Sequence, residues 1–341
     1  MNNADFAVLS NQAITVAGVI YFAALLAHLV EWSRLRAVVP AEAAAEGTAA
    51  EGDVLVRTGG PNPTDATGHA DEHPKVAFWA RLGVALTAFA AVVHLVGVVT
   101  RGLGADPVRV PWSNMYEFTI TATLVAVVIY LALHRKFQLA WLGPVMVGFT
   151  WVVLLAAVRI LYIPAAPVMP SLQSPWLIIH VFAAILATGA FTVAGMASII
   201  YLIKESRSRK GKVRPGGYLD RVPSLPALDR LAYRVTAFAF PVWTFGVLIA
   251  GPIWAENAWG RYWGWDPKEV WSFITWVVFA AYLHARATRG WKGRHAAILC
   301  LVGLVTLWFN FIGINYFFGD TSQHAYALDV VATAVSSGVT A

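Results

Sequence analysis

Two long apolar runs of the chain are separated by residues 254–271, which read WAENAWGRYWGWDPKEVW. This segment holds five of the chain's 15 tryptophans: Trp254, Trp259, Trp263, Trp265 and Trp271. An indole ring has a large apolar face and one N–H donor, so tryptophans often mark the boundary between hydrocarbon and water. Boundary tryptophans usually occur singly, whereas these crowd around Gly260 and Gly264, where the backbone can approach a flat ligand closely. The segment therefore favours a binding surface for a hydrophobic, ring-shaped ligand.

The spacing of these residues resembles the WWD signature of the haem-handling membrane proteins of cytochrome c biogenesis, of the CcsA/ResC type. The matching positions are Trp259, Gly260, Trp263, Trp265 and the run Asp266-Pro267-Lys268-Glu269. Most of the resemblance lies between Asn114 and His324, and the run Asn-x-Tyr-Glu at 114–117 is a second matching segment. The resemblance implies outward passage of haem b and its attachment to an apocytochrome c.

The composition is that of a membrane protein, because 58% of the residues are hydrophobic, only 13% are charged and the mean hydropathy is +0.61. A helix needs about 20 apolar residues to cross a membrane. The first apolar run lacks a basic leader and a small-residue cleavage site, so we expect it to be retained. The sequence predicts an all-α, polytopic integral membrane protein with about eight transmembrane helices, at 12–32, 77–98, 115–133, 139–158, 176–203, 235–253, 270–285 and 296–318.

The distribution of basic residues predicts the orientation of these spans. Of the 25 Lys and Arg residues, 20 fall on one predicted side of the membrane and five on the other. Because cytoplasmic loops are enriched in Lys and Arg, both termini and the Trp-rich loop are predicted to face outward from the cell inner (plasma) membrane. The net charge of +6 reflects this topology, and the basic run 204–214 needs no partner beyond water and anionic lipid headgroups. It gives no indication of nucleic-acid binding.

The same reading divides the chain into six regions. They are a first transmembrane helix (1–33), a disordered cytoplasmic linker (34–76), transmembrane helices 2–5 (77–203), a basic cytoplasmic loop (204–234), helices 6–8 with the Trp-rich loop (235–320) and an outward-facing tail (321–341). The linker is rich in Ala, Gly, Glu and Asp without a periodic apolar face, which is typical of disorder. His69 and His73 within it are interpreted as solvated residues rather than a metal pair.

Histidines are the candidate haem ligands, and their positions along the spans distinguish them. His180 lies near the outward end of the fifth span and His324 in the tail, so both flank the Trp-rich loop on the same predicted side. His284 lies near the inner end of the seventh span, and the resemblance implies that it is the family's transmembrane haem ligand. His94 and His28 are weaker candidates, because a histidine at the depth of His28 is more often an interfacial polar residue.

Haem iron can be held between two neutral imidazoles. We expect His180 and His324 to hold a porphyrin that lies on the faces of Trp259, Trp263 and Trp265. The predicted cofactor-binding residues are Trp254, Trp259, Gly260, Trp263, Gly264, Trp265, Asp266 and Trp271. Asp266, Pro267 and Glu269 also form a helix-capping pattern, which accounts for Asp266 without a direct chemical role. Four basic residues share the predicted surface and are candidate partners of the haem propionates: Arg101, Arg109, Arg261 and Lys268.

The single cysteine, Cys300, lies in the middle of the eighth predicted span. The chain has neither a Cys-x-x-Cys pair nor a haem-attachment motif, so haem b would be held without covalent linkage. The thiols for thioether formation must then come from an apocytochrome c. The resemblance implies a ResB/CcsB-type membrane partner and a thiol-reducing protein, within a cytochrome c synthase (haem lyase) complex.

Two other functions remain open from the sequence. In a b-type diheme membrane electron carrier, His28 and His284 would bind an inner haem while His94 and His180 bind an outer one, which leaves the tryptophan cluster without a purpose. In a non-catalytic scaffold, the Trp-rich loop would recruit partners and the purified protein would contain no haem.

Overall fold

The computed structural model describes residues 2–49, 74–137, 139–164, 174–214, 217–288, 290–319 and 321–324. For residues 35–49 it describes the backbone only. These residues fold into helices and contain no strand. In chain order the α-helices are α1 (Asn3–Ala49), α2 (Pro74–Leu103), α3 (Met115–His134), α4 (Gly143–Ala156), α5 (Pro175–Arg209), α6 (Tyr218–Arg221), α7 (Leu225–Phe245), α8 (Gly251–Trp259), α9 (Pro267–Thr288), α10 (Arg294–Trp308) and α11 (Ile314–Phe317).

Three π-helical turns continue these helices without a break in the chain. They are Ala157–Leu161 after α4, Gly246–Ala250 between α7 and α8, and Phe309–Gly313 between α10 and α11. A 3₁₀ turn, Leu139–Leu142, precedes α4. Because π-turns are rare and concentrate at functional sites, their positions are relevant to the site described below.

Seven helical segments within the described residues are long and apolar enough to cross a membrane. They are Asn3–Arg34, Pro74–Leu103, Met115–His134, Leu139–Leu161, Pro175–Arg209, Leu225–Trp259 and Arg294–Phe317. The predicted all-α, polytopic membrane fold is therefore confirmed.

The seventh predicted span, 270–285, corresponds to α9, which is helical but is not among these seven segments. Its 22 residues would extend about 33 Å, enough to cross the hydrocarbon core. Its composition is less apolar than predicted because the helix includes Lys268 and Arg286 and buries Glu269, Ser272 and Thr275 toward its neighbours.

The two largest differences from the predicted helix boundaries are at the end of α1 and the start of α7. Helix α1 continues to Ala49, into the predicted linker, because its last turns are rich in Ala and Glu, which favour helix without needing an apolar face. Helix α7 begins at Leu225, within the predicted basic loop, because Leu228 and Ala232 are buried and anchor the early turns. The remainder of the linker with His69 and His73, and the tail beyond His324, lie outside the described residues.

Side chains cap the starts of three helices, among them the start predicted at Asp266. Asn114 Oδ1 accepts from the Glu117 N–H (2.8 Å), and Ser174 Oγ accepts from the Trp176 N–H (3.2 Å). At the start of α9, Asp266 Oδ1 accepts from the Lys268 N–H (2.9 Å). These bonds satisfy backbone donors that the first turn of a helix leaves without intrahelical partners.

Buried side chains form two large apolar clusters and one small one. The first contains residues of α1, α2, α3 and α4, among them Tyr21, Ile120 and Met146. The second joins α5, α7, α9 and α10 and includes Phe191 and Phe279, whose rings stack at a centroid distance of 3.8 Å. The small cluster lies at the end that carries the Trp-rich segment and consists of Trp112, Phe118, Leu177, Val181, Ile185 and Trp254. It links α3, α5 and α8 next to the candidate site.

Candidate functional site

A cavity lies beside the Trp-rich segment, among α5, α7, α8, α9 and α10. It contains about 810 Å³ of non-atom space, which includes space open to solvent. Both His180 and His324 line it, although they are far apart in sequence. Much of its wall is apolar, including Phe118, Val247 and Phe311. The structure therefore brings the two predicted axial ligands to one cavity that can receive a hydrophobic ligand.

His180 is oriented by the π-helical turn Gly246–Ala250. Its Nδ1 lies 2.8 Å from the carbonyl oxygen of Gly246, which also accepts from the Gly251 N–H. A carbonyl can only accept, so Nδ1 carries the proton and Nε2 has the free lone pair. A Cβ atom at Gly251 would lie 3.0 Å from His180 Nδ1, so the absence of a side chain there makes room for the imidazole. His180 is thus presented in the tautomer that a metal requires.

His324 is placed beside a carboxylate. Its Nδ1 lies 3.3 Å from Oδ1 of Asp266. An adjacent carboxylate favours the proton on Nδ1, which leaves Nε2 to bind a metal, as in the carboxylate–histidine pairs of metalloproteins. The two imidazoles therefore share the same orientation chemistry, one with a backbone carbonyl and the other with an aspartate.

Asp266 also holds the backbone of the tail that carries His324. Its Oδ1 accepts from Ser322 Oγ (2.7 Å) and its Oδ2 from the Gln323 N–H (2.6 Å). Burial by itself would raise the pKa of the Asp266 carboxyl, but the side chains of His324 and Ser322 and the Lys268 N–H lower that pKa to about 2. The carboxylate is therefore ionised, and through Ser322 and Gln323 it holds the backbone that carries His324.

Lys268 holds the same tail by its side chain. Its Nζ donates to the carbonyl oxygen of His324 (3.1 Å) and to Oδ1 of Asn315 (3.3 Å), and the side chain lines the cavity. Asp266 and Lys268 are two residues apart at the start of α9, so the end of the Trp-rich segment and the tail form one unit.

The five tryptophans of the segment occupy different positions. Trp254 is buried and contacts both imidazoles, at ring-centroid distances of 6.0 Å to His180 and 5.6 Å to His324. Trp259 packs edge-on against His324 at 4.6 Å. Trp263 lines the cavity.

The other two tryptophans lie away from the cavity wall. Trp265 is 72% exposed, adopts a positive φ of 59° and meets Trp263 edge-on at 6.0 Å. Trp271 packs on Phe309 at 4.2 Å. The predicted stacking face therefore includes Trp263 in the cavity wall and Trp259 beside His324, whereas Trp265 projects from the rim.

The two glycines of the segment have local structural roles. Gly260 ends α8 with a φ of 69°, a left-handed conformation that glycine adopts without strain, and its N–H donates to the Glu256 carbonyl (2.9 Å). The Gly264 N–H donates to Glu269 Oε2 (2.8 Å), and a side chain at 264 would collide with the guanidinium of Arg261. Both glycines shape the loop beside the cavity.

Two of the predicted propionate partners are engaged elsewhere. Glu117 is fully buried and accepts from Arg101 Nε (3.0 Å) and Arg109 Nη1 (2.6 Å). The Ser113 N–H donates to the same carboxylate (3.0 Å). A buried carboxylate requires such compensation, so this group ties α2 to the start of α3. Lys268, by contrast, lines the cavity.

The remaining histidine candidates lie apart from this cavity. His284 is exposed on α9, near its end. His94 is fully buried, with Nδ1 3.4 Å from the Tyr21 hydroxyl. His28 is buried with Nδ1 3.4 Å from Glu31 Oε2, and Gly83 and Gly143 leave room for its ring. The structure brings together neither His28 with His284 nor His94 with His180, as a diheme carrier would require.

Three polar residues of the cavity wall were missed by the sequence analysis: Glu269, beyond its capping role, Ser272 and Asn310. Polar side chains within apolar runs usually serve a purpose. Asn310 and Asn315 interrupt the last apolar run of the chain, and that signal was sufficient to single them out.

The sequence of this chain is similar to those of known proteins. Residues 112–319 match the family described as Cytochrome C assembly protein. The chain is 34% identical over 281 residues to a Cytochrome c biogenesis protein CcsA from Gloeobacter violaceus, a match covering 66% of this chain and 81% of the relative. It is also 34% identical over 224 residues to the CcsA protein of Guillardia theta, covering 60% of this chain and 73% of that relative.

Among solved structures, the Cytochrome c Heme Lyase CcmF matches 99% of this chain with a TM-score of 0.59. The sequence identity is 16%, so the likeness is one of fold alone. The match covers 51% of the CcmF chain, so this chain spans about half of its length.

Proposed function

This chain belongs to the cytochrome c assembly protein family and is a cytochrome c biogenesis protein of the CcsA type, and we propose that it binds haem b non-covalently between His180 and His324. In this role it presents haem for thioether attachment to apocytochrome c, on the outer face of the cell inner (plasma) membrane. The single observation that carries the proposal is that the two histidines share one cavity, with Nδ1 of His180 hydrogen-bonded to the Gly246 carbonyl and Nδ1 of His324 3.3 Å from Asp266 Oδ1.

The residues present fit a bis-imidazole haem site. The Nε2 atoms would be the ligating nitrogens, because the Gly246 carbonyl accepts from Nδ1 of His180 and the nearby Asp266 carboxylate favours the proton on Nδ1 of His324. The apolar walls suit a macrocycle, and Trp254 and Trp259 pack against the imidazoles and restrict their rotation. His180 and His324 would hold the haem iron, and the vinyl groups of the haem would supply the reactive part.

The chain's contribution to the reaction is positioning. Bound haem supplies vinyl groups, and addition of a thiol S–H across a vinyl double bond forms one C–S and one C–H bond with no leaving group. His180 and His324 would position the haem, and Trp263 in the cavity wall would exclude water from it. The described residues contribute no thiol to the cavity, since Cys300 is buried in α10. The thiols therefore come from the apocytochrome, kept reduced by a thiol-reducing protein.

A membrane partner of the ResB/CcsB type completes the proposed complex. His284 is exposed on α9, whereas His28 is buried among α1, α2 and α4. A second haem at His284 would consequently take its other axial ligand from another chain. This arrangement supports assembly with a partner helix that packs on α9.

The proposal is tested by replacing His180 and His324 with alanine, separately, and measuring both haem in the purified protein and the yield of cytochrome c in cells. His295, exposed at the start of α10, provides the matched control. We expect either site variant to lose the bound haem and the mature cytochrome, while His295→Ala retains both. If both site variants keep normal haem content and cytochrome yield, the cavity is not the haem site.

A further inference from the structure

Asn310 presents a buried hydrogen-bond acceptor to the cavity without a partner among the described residues. The residue lies in the π-helical turn Phe309–Gly313, is 7% exposed and lines the cavity. Its Oδ1 is fully buried and makes no hydrogen bond within the described part of the chain. A buried acceptor without a partner destabilises the folded protein, so such an atom in a cavity indicates a donor on the ligand.

The orientation of the Asn310 amide is fixed by its neighbours. Ser272 Oγ donates its single hydrogen to the Lys268 carbonyl (2.7 Å), so it can only accept from Asn310. Asn310 Nδ2 supplies that donor at 3.0 Å. If the amide were flipped, Asn310 Oδ1 would lie against Ser272 Oγ, whose only hydrogen is already donated to the Lys268 carbonyl. The free atom of Asn310 is therefore the carbonyl oxygen and not the amino group.

The charges around this wall disfavour an additional anion. Lys268 and Glu269 line the same cavity as Asn310, and Oε2 of Glu269 accepts from the backbone N–H of Asp266 (3.1 Å). The cavity wall thus already carries one carboxylate beside the Lys268 amine. A further carboxylate placed against the lone pairs of Asn310 Oδ1 would be repelled by that oxygen, whereas a neutral O–H group would be attracted.

We propose that Asn310 Oδ1 accepts a hydrogen bond from a propionic acid group of the bound haem and so fixes which edge of the macrocycle enters the cavity. This inference rests on the proposed function. Of the peripheral groups of haem b, methyl and vinyl groups cannot donate, so a carboxylic acid O–H is the donor that matches. With the acid edge directed at Asn310 and Ser272, the vinyl edge is directed away from this wall, where a thiol can reach it.

The experiment compares ferric haem with its dimethyl ester, which lacks the O–H, by absorbance titration of the purified full-length protein. The variants are Asn310→Leu, of similar size without the acceptor, and Ser272→Ala, which releases the amide. Asn257→Leu is the control, because Asn257 is exposed on α8 and bonds only to the Ile253 carbonyl among the described residues. The thermal midpoint of each variant is measured to establish folding.

We expect Asn310→Leu to weaken binding of free haem about 3- to 10-fold and to leave ester binding unchanged, as loss of one hydrogen bond requires. Ser272→Ala should cause a smaller loss in the same direction, and Asn257→Leu none. Equal weakening of the binding of both ligands would mean that Asn310 contributes packing only. Unchanged binding of both ligands would mean that its oxygen bonds to a water molecule instead. Either result overturns the inference. If the wild-type protein binds neither ligand, the proposed function itself fails.

Discussion

Nδ1 of His324 lies 3.3 Å from Oδ1 of Asp266, the residue that also caps helix α9. One carboxylate thus begins the helix that follows the Trp-rich segment, holds the tail through Ser322 and Gln323, and orients an imidazole in the cavity. The geometry of the cap and the geometry of the haem ligand are consequently coupled. A change at Asp266 should therefore affect both.

Asp266→Asn tests this coupling. The amide keeps the size of the side chain and one acceptor, but loses the charge that favours the proton on His324 Nδ1. Loss of an outer partner of a metal-ligating histidine typically lowers affinity about 10- to 100-fold. We expect a loss of that order in haem affinity, measured by absorbance titration of the purified protein. Glu256→Gln, on α8, is the control, and equal affinities for the two variants would contradict the coupling.

Gly251→Ala tests the placement of His180. The new methyl group would lie 3.0 Å from His180 Nδ1, so the imidazole must move away from the Gly246 carbonyl. We expect a clear fall in haem content with the helix otherwise retained. Gly18→Ala is the matched control, since nothing lies within 4 Å of a Cβ atom at that position in α1. Normal haem content in Gly251→Ala would show that His180 does not depend on this close approach.

Trp263 and Trp265 should differ although they are two residues apart. Trp263 lines the cavity and Trp265 is 72% exposed, so only the first can stack on a bound macrocycle. We expect Trp263→Ala to weaken haem binding about 3- to 10-fold and Trp265→Ala to have little effect on affinity. Absorbance titration of both variants with haem measures the two affinities. A greater loss of affinity in Trp265→Ala would mean that the rim of the cavity contacts the ligand.

Much of the fold was predictable because it follows from local chemistry. Long apolar runs predicted the membrane helices, and Asn114, Ser174 and Asp266 begin their helices as their side chains predict. The predicted approach of His180 and His324 to one site rested on their positions flanking the Trp-rich loop.

Other parts of the site depend on geometry that sequence periodicity does not encode. The π-helical turn Gly246–Ala250 directs the Gly246 carbonyl at His180. A π-turn contains an extra residue compared with an α-helical turn, and no residue type in the sequence predicts it. Trp265 adopts a positive φ, a backbone conformation that tryptophan rarely adopts, and its ring points outward. The link from Asp266 to the tail joins residues 57 positions apart, which no local pattern reveals.

The membrane crossing of α9 can be tested by labelling single cysteines from outside the cell. The positions are Ser208 in α5 and Thr321 after α11, both exposed, in a chain with Cys300→Ala. If α9 crosses the membrane together with its two apolar neighbours, the two positions lie on opposite sides. We expect Thr321→Cys to react and Ser208→Cys to be protected. Reaction at both positions would place α9 outside the set of crossing helices.

The most direct test of the central claim is the electron paramagnetic resonance spectrum of the oxidised, purified protein loaded with one equivalent of haem. Two imidazole ligands predict a low-spin ferric signal in the wild type, converted to a high-spin signal in His324→Ala and in His180→Ala. A low-spin signal that persists unchanged in both variants would contradict the account, because the iron would then be held by residues other than His180 and His324.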